Sequence, residues 1–210
     1  MSDHTDGLGG RLPLADPTSL TGPPRELFDR MMTSVVPMAD KAGFQSTTAD
    51  GRLIGPFNPC LLRPAISAQF LHLQFTEQQH TSLSERVRQV VILTVGAVWR
   101  ADYELYAHSA AARRAGLPDA AIETLVNGGL PEELTAEDTI AHRVANQLST
   151  THHLDDGLYR EAENAFGAPG VMEIATLVGI YHTVCAVLNV FDVPAPEPQG
   201  AQSILRSEDL

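Results

Sequence analysis

The run Trp99-Arg-Ala-Asp-Tyr-Glu-Leu-Tyr-Ala-His108 sets an acid, Glu104, four residues before a base, His108. On a helix, residues four apart return to the same face, offset by about 40°. The neighbouring positions on that face, Ala97, Ala101, Ala111 and Ala112, are small and apolar. A carboxyl group and an imidazole on such a stripe are expected to be buried, and buried against each other. Burial and pairing move both pKa values away from their solution values, and proton-transfer groups are made in such surroundings. The same spacing also fits a Glu–His pair that does no more than tie two helices together.

Other chemistries find less support. Two side chains at i and i+4 can hold two corners of a zinc site, but only one of this pair is a histidine. A third ligand would have to come from elsewhere, with His182 the candidate, so no metal is expected. There is no Gly-x-Ser-x-Gly turn for a serine nucleophile and no glycine-rich phosphate loop. His182 and Asn189 lie seven apart on one helical face, where they either reach the pocket of His108 or are satisfied core polar groups. His72, His80, His152 and His153 read as surface residues.

The elements that must position the pair are helices. With 210 residues, 43% of them hydrophobic and 19% charged, the chain can build one good-sized core. The formal net charge is −12, with no cluster of Lys and Arg, which argues against nucleic acid and anionic membranes as partners. Two distant cysteines, Cys60 and Cys185, form no Cys-x-x-Cys pair or disulfide framework. The acid- and glycine-bearing N-terminus does not resemble a signal peptide, and a cytoplasmic location is expected.

Residues 1–23, rich in Gly and Pro, read as a flexible arm, either mobile or laid across a neighbouring subunit. Residues 24–192 read as a single all-α domain, and 193–210 as an extended, proline-stiffened tail. A first helix opens at Pro24 with Leu27, Met31, Val35 and Met38 inward, is disturbed at Pro37 and ends by Gly43. A polar loop over 45–60, with the rigid turn Gly55-Pro-Phe-Asn-Pro59, reads as a pocket wall. Pro64–His80 is predicted helical, with Ile66, Phe70, Leu73 and Glu77 along one side. Ser84 caps the next helix, whose buried face is Val87, Val90, Val91, Thr94 and Val98. Asp102 is predicted to cap a fresh helix after a break near Trp99–Arg100. That places Glu104 in a first turn, where backbone N–H groups favour its charged form. This helix stops at Gly116. Further helices are predicted over 118–127, from Thr135 to about Thr150, from Asp155 to Gly167 and from Gly170 to Phe191. The run Ile174 to Phe191 is near the spanning minimum of about 18 residues. Glu173, His182, Asn189 and the lack of flanking basic residues argue against a span. A helix apolar nearly all round is then central or at a subunit interface.

Several segments resemble one family in order. They are Ile54-Gly-Pro-Phe-Asn58, Leu83-Ser-Glu-Arg-Val-Arg-Gln-Val-Val-Ile-Leu93, Tyr103-Glu-Leu-Tyr-Ala-His108, Ala112-Arg-Arg-Ala-Gly-Leu-Pro118 and Leu188-Asn-Val-Phe-Asp-Val-Pro194. Across about residues 50–195 they resemble the carboxymuconolactone decarboxylase-like proteins of the alkyl hydroperoxidase D superfamily. The resemblance implies an all-α fold assembled as trimers or hexamers, with an active site near His108 and close to an interface. Peroxidase relatives carry Cys-x-x-Cys-x-x-x-His. Laid on His108, that motif puts its cysteines at Ala101 and Glu104, so dithiol chemistry is unavailable there. An upstream relay Glu of those relatives matches Gln89. The carboxylate-and-histidine version resembles the decarboxylase branch, acting on small cyclic acids in aromatic-compound catabolism. It implies no cofactor, with His108 as proton donor or acceptor oriented by Glu104. Arg63 or Arg100 would hold a substrate carboxylate, and Trp99, Tyr103 and His182 would complete the substrate site. Two alternatives remain: a peroxidase-type antioxidant protein using Cys60 or Cys185, and a non-catalytic oligomer that binds a small ligand.

Overall fold

The computed structural model describes residues 6–197. Its elements are α1 (Gly22–Ala42), α2 (Phe57–Cys60), α3 (Pro64–His80), α4 (Glu85–Trp99), α5 (Asp102–Arg114), α6 (Asp119–Val126), α7 (Ala136–Thr151) and α8 (Asp156–Val190). Among the described residues, extended pairing is limited to one isolated antiparallel bridge, Thr47 with Leu53. The protein is all-α, as its helical periodicities predict.

The boundaries follow local chemistry. Ser84 caps α4 by accepting from the N–H of Val87, and Thr135 and Asp138 form a reciprocal capping box on α7. Gly116 closes α5 at a φ of 86°, with the N–H of Leu117 bonded to the carbonyl of Ala112. Gly167 interrupts α8 at φ 67° and ψ 166°, a conformation essentially confined to glycine, and Pro169 opens the second limb. The predicted break there is observed. Pro37 stands inside α1 on its exposed side, and the helix runs past it to its cap at Gly43.

The buried centre is α4 rather than α8. Every residue from Val87 to Gly96 is buried, including Arg88 and Gln89. Its partners are α5, α6, α7 and α8. Val98, expected inside, is 37% exposed at the helix end. The second limb of α8 buries Ile174, Leu177, Val178, Val184, Cys185 and Leu188, but leaves Met172 and Val190 outside. It is therefore central on one side only, although α8 is long and apolar enough by composition to cross a membrane. On α3 the expected stripe is largely uncovered: Leu71 is buried, while Ile66 is 71% and Leu73 46% exposed. Glu77 lies on the inner side because it pairs with the buried Arg88 at 2.5 Å.

The N-terminal arm is packed rather than free over its described part. Leu14 is buried in the main core. The N–H of Arg11 donates to the carbonyl of Phe191 at 2.6 Å, and Asn58 joins both the N–H of Ala15 and the carbonyl of Pro13. The arm thus lies across its own subunit, held by backbone groups that would otherwise go unsatisfied. Residues 1–5 and 198–210 lie outside the described residues.

The 45–60 loop is stapled to α5. The hydroxyl of Tyr103 donates to the carbonyl of Gln45 at 2.5 Å, and the N–H of Gln45 donates to the hydroxyl of Tyr106. Gly55 sits at a φ of 64° flat against the Tyr103 ring, and a Cβ there would come within 2.3 Å of ring carbons. Gly55→Ala should therefore destabilise the protein by roughly 2–4 kcal/mol, through overpacking and a strained φ together. Thermal melting of the purified variant measures it, and a change below 0.5 kcal/mol would contradict this packing.

Candidate active site

The α4–α5 corner brings the acid and the base together. Arg100 takes a left-handed φ of 51°, and the N–H groups of Arg100 and Ala101 return to the carbonyls of Ala97 and Gly96. The chain reverses within these residues, so the first turn of α5 packs on the last turns of α4. Gly96 permits that approach: a Cβ there would lie 3.0 Å from Leu105 and 3.4 Å from the Cγ of Glu104. The cap of α5 is Ala101, with no side-chain bond, and not Asp102, which is already helical.

Glu104 is 3% exposed. Its Oε1 stands 3.2 Å from the Nε2 of His108, but that oxygen makes no hydrogen bond of acceptable geometry. Burial pushes its carboxyl up to about 8. The expectation that first-turn N–H groups would keep it charged fails, because desolvation outweighs them. The His108 side chain is 16% exposed. Burial holds its basicity far below that of free imidazole, and the positive charge of Arg88 pushes the same way. At neutral pH the pair is thus an undissociated acid beside a neutral imidazole, sharing one proton.

The other edge of His108 is also held. Its Nδ1 lies 2.8 Å from Gln89 Oε1, and Gln89 Nε2 donates to Glu85 Oε1 at 2.7 Å. Arg88 bridges Glu85 at 3.1 Å and Glu77 at 2.5 Å. The Tyr181 ring stands edge-on to the imidazole, centroids 5.0 Å apart and planes at 88°. A chain of polar contacts therefore runs from α3 through α4 to α5, with the side chains of Glu77, Arg88 and Gln89 buried and Glu85 at its exposed edge.

The remaining candidates fall elsewhere. Tyr103 is 2% exposed and its hydroxyl is committed to Gln45, so its role here is to hold the loop. The loop's hydrogen bonds to α5 go to Tyr103 and Tyr106, not to the Glu104–His108 pair. Trp99 packs edge-on against His182, and its carbonyl accepts from Asn189 Nδ2 at 2.8 Å. His182 Nε2 is 2.8 Å from the hydroxyl of Ser149, joining α8 to α7, which favours the reading of satisfied polar groups for both. Arg63 and Arg100 are exposed, Arg63 as the cap of α3 and Arg100 at the corner. Neither is bonded to the pair; the cation that acts on His108 is Arg88. Among the described residues no group of three His, Cys, Asp or Glu side chains is arranged to hold a metal ion. A surface groove lined by Leu130, His142, Arg143, Asn146, Thr150 and Asp155 runs along α7 and shares no residue with the pair.

Arg88, Glu85 and Tyr181 are the members that sequence reasoning missed. Glu85, Arg88 and Gln89 at i, i+3 and i+4 inside an otherwise apolar helix were the available signal. Tyr181 carries no such pattern.

The fold is an alkyl hydroperoxidase D-like helical fold. One similar solved structure is the alkylhydroperoxidase AhpD core of an uncharacterized peroxidase-related protein from Ralstonia eutropha JMP134. It has a TM-score of 0.71 at 15% identity, covering 90% of this chain and 93% of that one. A second is a Cys-to-Ala variant of the debrominase Bmp8 in complex with 2,3,4-tribromopyrrole, with a TM-score of 0.67 at 15% identity, covering 93% and 95%. No curated protein matches the chain. Residues 64–145, which include α4, α5 and both members of the pair, match the model of the carboxymuconolactone decarboxylase family. That match falls on the part of the chain whose motifs resemble the same family.

The raised carboxyl has a sign that can be tested. From about pH 4.5 to about 8 the folded state keeps the Glu104 proton and the unfolded state loses it. The group's contribution therefore becomes less favourable as pH rises through that window, and levels off above it. The stability of the native protein minus that of Glu104→Gln should fall by about 1.4 kcal/mol per pH unit across the window. Urea titrations of both proteins at several pH values measure it. A difference independent of pH would mean that Glu104 ionises normally.

Proposed function

We propose that this protein is a cofactor-independent lyase acting on a small cyclic carboxylic acid, with Glu104 and His108 managing one proton. What carries the reading is the buried, undissociated Glu104 whose Oε1 has no hydrogen bond and faces the imidazole. A carboxyl oxygen held out of water 3.2 Å from an imidazole nitrogen is placed to exchange a proton with it.

In the proposed reaction the bond from the ring to its carboxylate breaks. The electron pair moves into a conjugated carbonyl and CO₂ leaves. The resulting dienolate is protonated on carbon. Glu104 stores that proton and His108 Nε2 delivers it, and the partly exposed edge of His108 lets solvent restore it. A carbonyl that takes the electron pair makes a metal or organic cofactor unnecessary. The family segment over residues 64–145 supports a reaction of this class, and a fold relative in complex with a small halogenated ring agrees with the substrate size. Of the exposed arginines, Arg100 at the α4–α5 corner is our candidate for the substrate carboxylate.

A thiol peroxidase reading is disfavoured by both cysteines. Cys185 is fully buried, and burial pushes its thiol up. Burial raises Cys60 as well. Neither environment produces the thiolate that peroxide reduction needs.

We also propose that the protein is a homo-oligomer in which a second copy covers Ile66 and Leu73 of α3. Native mass spectrometry should show an assembly that Ile66→Glu with Leu73→Glu dissolves into folded monomers. A monomeric native protein at micromolar concentration would contradict it.

The catalytic roles are tested with His108→Ala, Glu104→Gln and the double variant. Cyclic acids bearing a conjugated carbonyl are first screened for CO₂ release. Each single change should lower kcat roughly 10²–10⁴-fold, and the double change should lower it little further, because two groups handling one proton fail as a unit. A folded His108→Ala protein with native turnover would overturn the assignment.

A further inference from the structure

Gln89 touches His108 on the side away from Glu104, and the direction of every bond around it is fixed by what each group can do. Glu85 is a carboxylate paired with the Arg88 guanidinium at 3.1 Å, so its oxygens accept. The Gln89 group 2.7 Å from Glu85 Oε1 must then be the NH₂ end of the amide. That turns the amide carbonyl toward His108, 2.8 Å from Nδ1. A carbonyl only accepts, so Nδ1 must carry the ring proton. In a neutral imidazole the other nitrogen is then a bare lone pair. That nitrogen is Nε2, and it faces Glu104 Oε1 at 3.2 Å.

The geometry points to Gln89 as the positioning residue that sets the tautomer of His108, with Glu85 and Arg88 holding the amide in the required sense. The inference deepens the proposed function: only the Nδ1–H tautomer can take a proton from Glu104, and the opposite tautomer would present a second donor to an acid. The arrangement is built, not incidental. Arg88 is 4% and Gln89 3% exposed, and Arg88 is anchored a second time by Glu77 on α3. Burying a guanidinium on the central helix is expensive unless it is paired on both sides. Here the pairing ends at one amide that a histidine reads. Glu85 to Gln89 is one helical turn, so α4 fixes the distance between the anchor and the clamp.

The test needs no substrate. In histidine-labelled protein at neutral pH, nitrogen–proton correlation spectra distinguish Nδ1–H from Nε2–H, and the His108 signal is assigned by its loss in His108→Ala. The native protein should show Nδ1–H. Gln89→Leu, which removes the acceptor, should shift the tautomer ratio at least tenfold toward Nε2–H, because a buried N–H left unpaired is penalised by at least that much. Gln89→Glu, which restores an acceptor at the same place, should return His108 to Nδ1–H. A native Nε2–H tautomer would overturn the inference, as would a folded Gln89→Leu protein with the native ratio. Should Gln89→Leu fail to fold, an Nε2–H signal in Gln89→Glu overturns it equally. The ring nitrogens report whether Gln89 sets the tautomer even if His108→Ala proves fully active, so failure of the catalytic reading and failure of this one are separate results.

Discussion

Taking Glu104 and His108 out of water is the constraint on which the rest of the structure depends. An ionised carboxylate in that position would need a partner for each oxygen, and Oε1 has none. The molecule meets the constraint by keeping both groups neutral. Desolvation raises the acid, desolvation and Arg88 lower the base, and the two meet with one proton between them. Two neutral groups can be buried where a charged pair could not be held without further hydrogen bonds. The price is a carboxyl group that is imperfectly bonded, and that deficit is where a reaction can enter.

The neighbouring architecture serves this arrangement from three sides. The α4–α5 corner at Arg100 and the missing side chain of Gly96 bring the Glu104 stem against α4. The polar chain from Glu77 through Arg88, Glu85 and Gln89 reaches the far edge of the imidazole. Tyr181, from the second limb of α8, closes on the ring edge-on. The opposite flank of α5 is held by the 45–60 loop through Tyr103 and Tyr106, and that loop is itself clasped by the N-terminal arm through Asn58. Arm, loop and helix thus form one continuous support for the element that carries the pair.

Much of this was legible in the sequence, and the illegible parts have a common cause. Apolar periodicity, Ser84, Thr135, Gly116 and Gly167 mark the helices and their ends, because local backbone chemistry decides them. The i, i+4 spacing of Glu104 and His108 announces the pair for the same reason. Burial was harder to read. The last helix looked central by composition, yet α4, which carries Arg88 and Gln89, is the one covered on every side. Charged residues in a helix read as solvent-facing unless their partners are known, and the partner of Arg88 is Glu77 on another helix. The same holds for Tyr103 and His182, which looked like site residues but are used by Gln45 and Ser149. The arm was read as loose from its glycines and prolines, whereas its backbone bonds to residues more than forty positions away decide otherwise. Long-range pairing is what a single sequence does not display.

The protonation state of Glu104 at neutral pH is the claim from which all else follows, and infrared spectroscopy reads it directly. A protonated carboxyl group has a C=O stretch well separated from the bands of a carboxylate. The native protein at pH 7 should show one such band that is absent from Glu104→Gln, and it should fade as pH passes about 8. A native protein at pH 7 with only carboxylate bands, and a spectrum that differs from Glu104→Gln by a carboxylate alone, would contradict the account.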